Sequence, residues 1–303
     1  MKPTLRILLA SLLLASGAAF AQTSANSPKP AGRSLLDAQV RAAVADFKGK
    51  VSLFAKNLDT GESYGFGADD RVRTASTIKL PIMVEAFARV AEGKVKWTDE
   101  VILTKEKKVG GSGVLQELSD GLHLTLRDAV TLMIVLSDNT ATNLTLDVLT
   151  ADAVNARLEA LGFKETRSLR KVNGGGDSKA RSERDNEKFG LGVATPREMV
   201  TLIERIERGE VINPAVSKEM MELLKRQQFR EGIGRDLNGV ALASKPGALD
   251  ALRSEVGILY TKRGRIAMAI TCDNMPEVIW TVDNPGYLML SRLSELLVEG
   301  LGQ

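Results

Sequence analysis

A chain of 303 residues with 41 basic and 38 acidic side chains, 44% hydrophobic, can build one large core and carries no charge excess to draw it to nucleic acid or an acidic membrane. One histidine, His123, rules out a zinc site built on several histidines, and one cysteine, Cys272, rules out an internal disulfide. No Cys/His cluster exists, and the expectation is neither metal nor cofactor, with a serine enzyme needing a base other than histidine.

Lys2 and Arg6 open a leader whose apolar run, Ile7 to Phe20, ends at Ala19-Phe20-Ala21. This is the pattern of a secretory signal peptide over residues 1–21, and the run is short for a bilayer span. Removing 21 of the 303 residues leaves 282; Lys2 and Arg6 leave too, so the balance becomes 39 basic against 38 acidic. The expectation is a periplasmic or secreted monomer with no membrane span after cleavage. Residues 22–33, QTSANSPKPAGR, read as a polar linker. Ser34 then looks like an N-cap, with Leu35, Leu36, Val40, Val44 and Phe47 following at helical spacing.

The stretch KVSLFAKNLDTGESYGFG reads as two strands around Asp59-Thr60-Gly61. From Thr74 to about Gln228 the pattern is mostly helical. Thr125 with Asp128 resembles a capping box before AVTLMIVL, a helix apolar nearly all round and so central. Thr195, Pro196 and Glu198 start another helix, which Gly209 ends. GVALASKPG, SEVGILYTK and GRIAMAITCD look like three strands, and Ser291 to Val298 closes with a helix. Cys272, inside the last apolar run, reads as a buried small hydrophobe. Strands thus occur at both ends of the chain. The predicted fold is α/β: residues 34–73 and 229–303 form an antiparallel sheet flanked by helices, and residues 74–228 insert an all-helical lobe. A cleft between the two is the expected place for a site.

Three short motifs carry chemistry. Ser76-Thr77-Ile78-Lys79 opens a helix, and residues three apart share a face, so hydroxyl and amine can meet. At a helix start the free N–H groups favour developing negative charge at Ser76, and burial could lower the Lys79 pKa enough for it to take the serine proton. Such a pair arises by chance about once in a chain this long, and alone it reads equally as an N-cap with a solvated lysine. Ser137-Asp138-Asn139, at the end of the central helix, is expected by chance only about 0.03 times. Ser137 could relay a proton, Asn139 could hold a substrate carbonyl or orient Lys79, and Asp138 reads as a local backbone acceptor. Lys245-Pro246-Gly247 lies on a strand, where Lys245 offers positive charge to a substrate carboxylate and Gly247 lets a substrate backbone approach. The Ala248 N–H could pair with that of Ser76 as an oxyanion hole. His123, in SDGLHLTLRD, reads as a loop residue and not the base of a triad.

Taken together, in this order and on these elements, the motifs resemble those of the penicillin-recognising serine hydrolases, most closely the class A β-lactamases. VLSDNTATNLTLDVL and TPREM are close to that family's wording, and the resemblance spans nearly all of the chain after residue 33. It implies an acyl-enzyme cycle: Ser76 attacks a β-lactam carbonyl, Lys79 and Ser137 move protons, Lys245 helps bind the carboxylate, and water releases the product. The same resemblance implies a loop over the site closed by an arginine–aspartate pair, for which Arg170 and Asp185 are suited.

The sequence departs from the family at three places. That register puts Val172 where the water-activating glutamate stands and Gly176 where an asparagine stands, so deacylation should slow. Asp177, beside three glycines, is the first substitute base by reach, ahead of Glu165, Glu183 and Glu187. Pro246 replaces a hydroxyl residue that binds the substrate carboxylate; Arg253 either compensates or is a solvated turn residue. Ser112 stands where many relatives carry an aromatic at the cleft rim. Three functions stay open: a β-lactamase, a penicillin-binding or D-alanyl-D-alanine peptidase-like acyltransferase acting on peptidoglycan-peptide-like substrates, and an idle binding module on the same fold.

Overall fold

The computed structural model describes residues 31–180 and 182–302; the expected leader and residues 22–30 of the expected linker lie outside the described residues. Helix α1 (Ala31–Val44) is already formed at Ala31, so residues 31–33 are helical and Ser34 lies inside the helix rather than capping it. Strands β1 (Lys50–Asn57) and β2 (Ser63–Phe66) form the hairpin expected at Asp59–Gly61, where Gly61 takes a φ of 81°. Strand β3 (Val72–Arg73) leads into a 3-10 turn, Ala75–Ile78, and helix α2 (Lys79–Ala91). Ser76 therefore sits on the tighter turn, and the α-helix begins at Lys79.

The stretch between α2 and the central helix holds a hairpin absent from the sequence reading: β4 (Glu100–Leu103) pairs with β5 (Leu122–Thr125) across a long loop. Helix α3 (Leu126–Val135) begins at the capping box, with Asp128 N donating to Thr125 Oγ1 at 3.1 Å and Thr125 N to Asp128 Oδ2 at 3.0 Å. There follow α4 (Asn139–Leu149), α5 (Ala151–Ala160), β6 (Arg167–Ser168), α6 (Glu183–Phe189) and β7 (Gly192–Ala194). Helix α7 (Pro196–Glu207) is capped by Thr195 and ends before Gly209, at φ 77°, as its flanking residues imply. After α8 (Pro214–Lys225) come β8 (Ala241–Leu249), β9 (Leu252–Thr261) and β10 (Gly264–Asp273). Helix α9 (Pro285–Leu301) then runs longer at both ends than its apolar pattern indicated.

The main sheet has the order β2-β1-β10-β9-β8 and its pairs are antiparallel; β3, β7 and β6 make a second, small sheet. Side chains alternate across the main sheet. Leu53, Ala55, Ile266, Met268 and Ile270 face outward and pack against Leu36 and Val40 of α1 and Leu290, Leu293 and Leu297 of α9. Cys272 belongs to this layer and is fully buried, which raises its thiol pKa. Phe54, Ala243, Val256, Ile258, Ala267 and Ala269 face inward, into a core shared with α2, α3, α4, α7 and α8. The inserted helices share this core with the sheet, because its inner face has no other cover. Ala243 faces inward, so Lys245 and Gly247, two and four residues on, point toward the helices as well. Among the described residues no helix is long and apolar enough to cross a membrane.

Candidate active site

Ser76 is half-buried on the 3-10 turn, and the residue before it, Ala75, has a φ of 47°. That left-handed backbone is costly for alanine, about 1–3 kcal/mol, and is tolerated only where the surroundings enforce it. Here Thr77 Oγ1 donates to Thr74 O at 2.8 Å and Ser254 Oγ to the same carbonyl at 3.3 Å, tying the turn to β9. Ser137, which breaks the chain between α3 and α4, is the second such residue, at φ 53°.

Lys79 is fully buried, and its amine donates to Ser137 O at 2.7 Å, Asn139 Oδ1 at 3.0 Å and Ser137 Oγ at 3.2 Å. Lys245 comes to the same hydroxyl from the sheet: Nζ donates to Ser137 Oγ at 3.0 Å and to Pro246 O at 2.8 Å. Ser137 Oγ therefore lies between two buried amines. The sequence reading expected Lys79 to hold Ser76 directly. Instead the amine takes the carbonyl and amide oxygens at the start of α4, stronger acceptors than a serine hydroxyl, and Ser76 makes no side-chain hydrogen bond among the described residues.

Burial lowers the Lys79 pKa to about 7, and the Asp138 charge opposes the shift. Burial and the neighbouring Lys79 push Lys245 well below the ordinary lysine value, with Glu255 opposing. Two ammonium groups cannot both stay charged cheaply this close in a dry site. Ser137 Oγ can accept from whichever amine is charged and donate to the neutral one, which links the two by a proton path. Asp138 takes no part in that path. Its Oδ1 accepts from Ala141 N at 2.8 Å, and its Oδ2 accepts from Val114 N at 2.7 Å and Leu115 N at 2.9 Å. Gly113 lets that loop close: a Cβ there would lie 2.3 Å from the Asp138 carboxylate.

Gly247 packs against the serine's turn, where a Cβ would lie 2.8 Å from Thr74 O and 3.0 Å from Ser76 N. Ala248 follows, half-buried, at the end of the same edge strand. Asn139 is fully engaged, with Nδ2 donating to Gly110 O at 3.0 Å. Ser112 holds the same loop down, its hydroxyl donating to Leu136 O at 2.9 Å and its carbonyl accepting from Asn139 N at 2.9 Å.

One residue escaped the sequence reading. Asn143, one helical turn after Asn139 on α4, clamps Val172: Val172 N donates to Asn143 Oδ1 at 2.9 Å, and Asn143 Nδ2 donates to Val172 O at 3.1 Å. Its signal was the i, i+4 spacing in NTATN, which puts both amides on one face. Val172 is buried, its backbone held to α4 one helical turn after Asn139, and its side chain carries no carboxylate. Asn173 to Gly176 all have positive φ, and Asp177 beyond them is exposed. The Glu165 carboxylate lies 3.4 Å from Arg71, Glu187 is exposed, and the Glu183 side chain lies outside the described residues. The expected Arg170–Asp185 closure is replaced: α6 turns Asp185 toward β3, 3.5 Å from Arg71, while Arg170 donates to Lys171 O at 3.0 Å.

Arg253 is neither solvated nor open. It is fully buried and donates to Leu249 O at 2.6 Å, Leu252 O at 2.7 Å and Ile279 O, with Trp280 and Tyr287 rings 4.6 and 5.0 Å from its guanidinium. It fastens the β8–β9 turn to the segment before α9. His123, itself exposed, lies on β5, where Nδ1 sits 2.7 Å from Glu100. No group of three His, Cys, Asp or Glu that could hold a metal occurs among the described residues.

Comparison with known proteins adds three relationships. Residues 35–301 match the profile of the "Beta-lactamase enzyme family". A β-lactamase structure from Sphaerobacter thermophilus DSM 20745 is 31% identical, with a TM-score of 0.77 over 89% of this chain and 97% of that one. Among curated relatives, β-lactamase SME-1 of Serratia marcescens is 22% identical over 196 residues, and that match spans only 62% of each chain. The structure of an L158E mutant of PBP-A, an acyl-enzyme complex with penicillin G, is 24% identical. It has a TM-score of 0.75 over 88% of this chain and 95% of that one, a likeness in fold alone.

Proposed function

The chain belongs to the β-lactamase enzyme family, and on that premise we propose that it opens β-lactam rings through an acyl-enzyme on Ser76 and releases the product slowly. The observation that carries this is Ser137 Oγ held between the Lys79 and Lys245 amines at 3.2 and 3.0 Å. Ser76 Oγ adds to the lactam carbonyl carbon as Lys79, neutral near pH 7, takes its proton. The ring C–N bond breaks, and the nitrogen receives a proton from Ser137, which is resupplied from Lys79. The N–H groups of Ser76 and Ala248 receive the oxyanion. Lys245 pairs with the substrate carboxylate and becomes charged as it does so, which favours the neutral form of Lys79. Asn139 orients Lys79, and Gly247 admits the substrate backbone along the edge of β8.

Release needs an activated water. Val172 supplies no base and Asp138 is committed to three backbone N–H groups; Asp177, next to the three loop glycines, is given that role here. Arg253, already spent on three carbonyls, is left to shape the β8–β9 turn, and Pro246 brings no hydroxyl, so the hold on the carboxylate rests on Lys245. A second reading, a penicillin-binding or D-alanyl-D-alanine peptidase-like acyltransferase, gains from Val172, because an enzyme that keeps its acyl group has no use for a water-activating glutamate.

The test is incubation with a chromogenic cephalosporin and a fluorescent penicillin. Sustained colour favours the hydrolase, a single stoichiometric burst with label retained on Ser76 favours the acyltransferase, and label retained by Ser76→Ala rejects the nucleophile. Asp177→Asn should leave labelling intact and prolong it; unchanged release removes Asp177 from the cycle.

A further inference from the structure

A cavity of about 530 Å³ lies between β3, the end of α6, strands β1 and β10 and the β8–β9 turn, and shares no lining residue with the Ser76 cluster. Lys50, Arg71, Arg73 and Lys188 line it against one carboxylate, Asp273. Arg73 pairs with Asp273 and is thereby spoken for. Lys50 lies 2.8 Å from Asp70, and Arg71 lies 3.4 Å from Glu165 and 3.5 Å from Asp185; these three carboxylates stand outside the lining. Exposed pairs of that kind hold weakly and yield to a better-placed anion.

Lys188 has no ion pair among the described residues. Its amine sits 4.9 Å from the centre of the Phe189 ring, and the Arg71 guanidinium sits 4.9 Å from the same ring. Two cations thus share one aromatic, with no carboxylate between them in the lining. On the cavity floor the Thr271 hydroxyl has no hydrogen-bond partner among the described residues and is open to the cavity. A hydroxyl so placed can donate to a bound anion without first giving up a partner in the protein.

We propose that this cavity is a second binding site, for a small anion bearing carboxylate or phosphate groups, held by Arg71, Lys188 and the Thr271 hydroxyl with its apolar flank on Phe189. The volume suits a small molecule. Charge-assisted bonds to Arg71 and Lys188 supply the strength, and Thr271 supplies a donor that fixes the anion's position.

Isothermal titration of the full chain with citrate, and separately with inorganic phosphate, tests this at constant ionic strength set with chloride. Saturable binding of one anion per chain is expected, unchanged in Ser76→Ala. Lys188→Ala and Thr271→Val should each weaken it about tenfold, close to one bond's worth. Lys188 is exposed and unpaired, so its variant keeps the fold. Tighter citrate assigns a polycarboxylate, and tighter phosphate assigns a phosphate ester. Absence of saturable heat with both anions, or wild-type affinity in both variants, overturns the site. Neither result depends on whether Ser76 is acylated.

Discussion

A hydroxyl carries one proton, and Ser137 Oγ has an amine on each side of it, so which amine is neutral decides which way that proton can move. The Lys79 pKa of about 7 makes the prediction quantitative. Above that value the amine is neutral and competent as a base. Below it the competent fraction falls about tenfold per pH unit. The rate of Ser76 acylation by a penicillin should therefore climb with pH up to about 7 and then level, as stopped-flow measurements from pH 5 to 9 would record. Lys79→Arg keeps the charge at every such pH and should lower acylation by about 10²–10⁴-fold, the usual worth of a general base, while abolishing the climb. A flat wild-type profile, or an arginine variant with wild-type rates, would remove Lys79 from the base role.

In the proposed cycle two elements set how the serine is presented and how the acyl group leaves. Strand β8 lies so close to the 3-10 turn that a methyl at residue 247 would meet Thr74 O and Ser76 N, both backbone atoms unable to rotate aside. Gly247→Ala should lower the melting temperature, because the strand or the serine's turn must shift to admit the methyl. Acylation should drop at least about tenfold, since a small misplacement of reacting groups costs about that or more. Equal acylation in the variant would mean the close approach has no part in presenting Ser76. In the loop over α4, Val172→Glu puts a carboxylate on the backbone that Asn143 clamps. Penicillin should then be released faster than from wild type, read as a shorter lifetime of the label, with acylation still present. An unaltered lifetime in a folded, acylating variant would show that residue 172 does not reach the acyl carbonyl.

Over the molecule as a whole, what the sequence made legible was local and periodic. The Asp59–Gly61 hairpin, the Thr125–Asp128 cap and the alternation that turns Lys245 inward follow from spacing alone, and the Ser137-Asp138-Asn139 triplet was rare enough to stand out. What stayed hidden depends on contacts between distant segments. The two-residue strands β3 and β6 have no period to read, and the β4–β5 hairpin is closed by a long loop that hides its pairing. The left-handed backbones at Ala75 and Ser137 belong to residues with no intrinsic taste for that region and are imposed by packing. Arg170 and Asp185 looked suited by order along the chain, but α6 delivers Asp185 to Arg71 instead. Arg253 gave no hint that three carbonyls and two rings would absorb it, because four of those five partners lie beyond its sequence neighbourhood or across a turn.

The proposed cycle turns on a covalent bond to Ser76 that outlasts its formation. Intact-mass spectrometry after one pulse of penicillin, followed by peptide mapping, measures that bond directly. One adduct per chain is expected, equal in mass to the whole drug, on the peptide containing Ser76 and decaying far more slowly than it forms. Consumption of the drug with no adduct at any time, or an adduct on another residue, would contradict it.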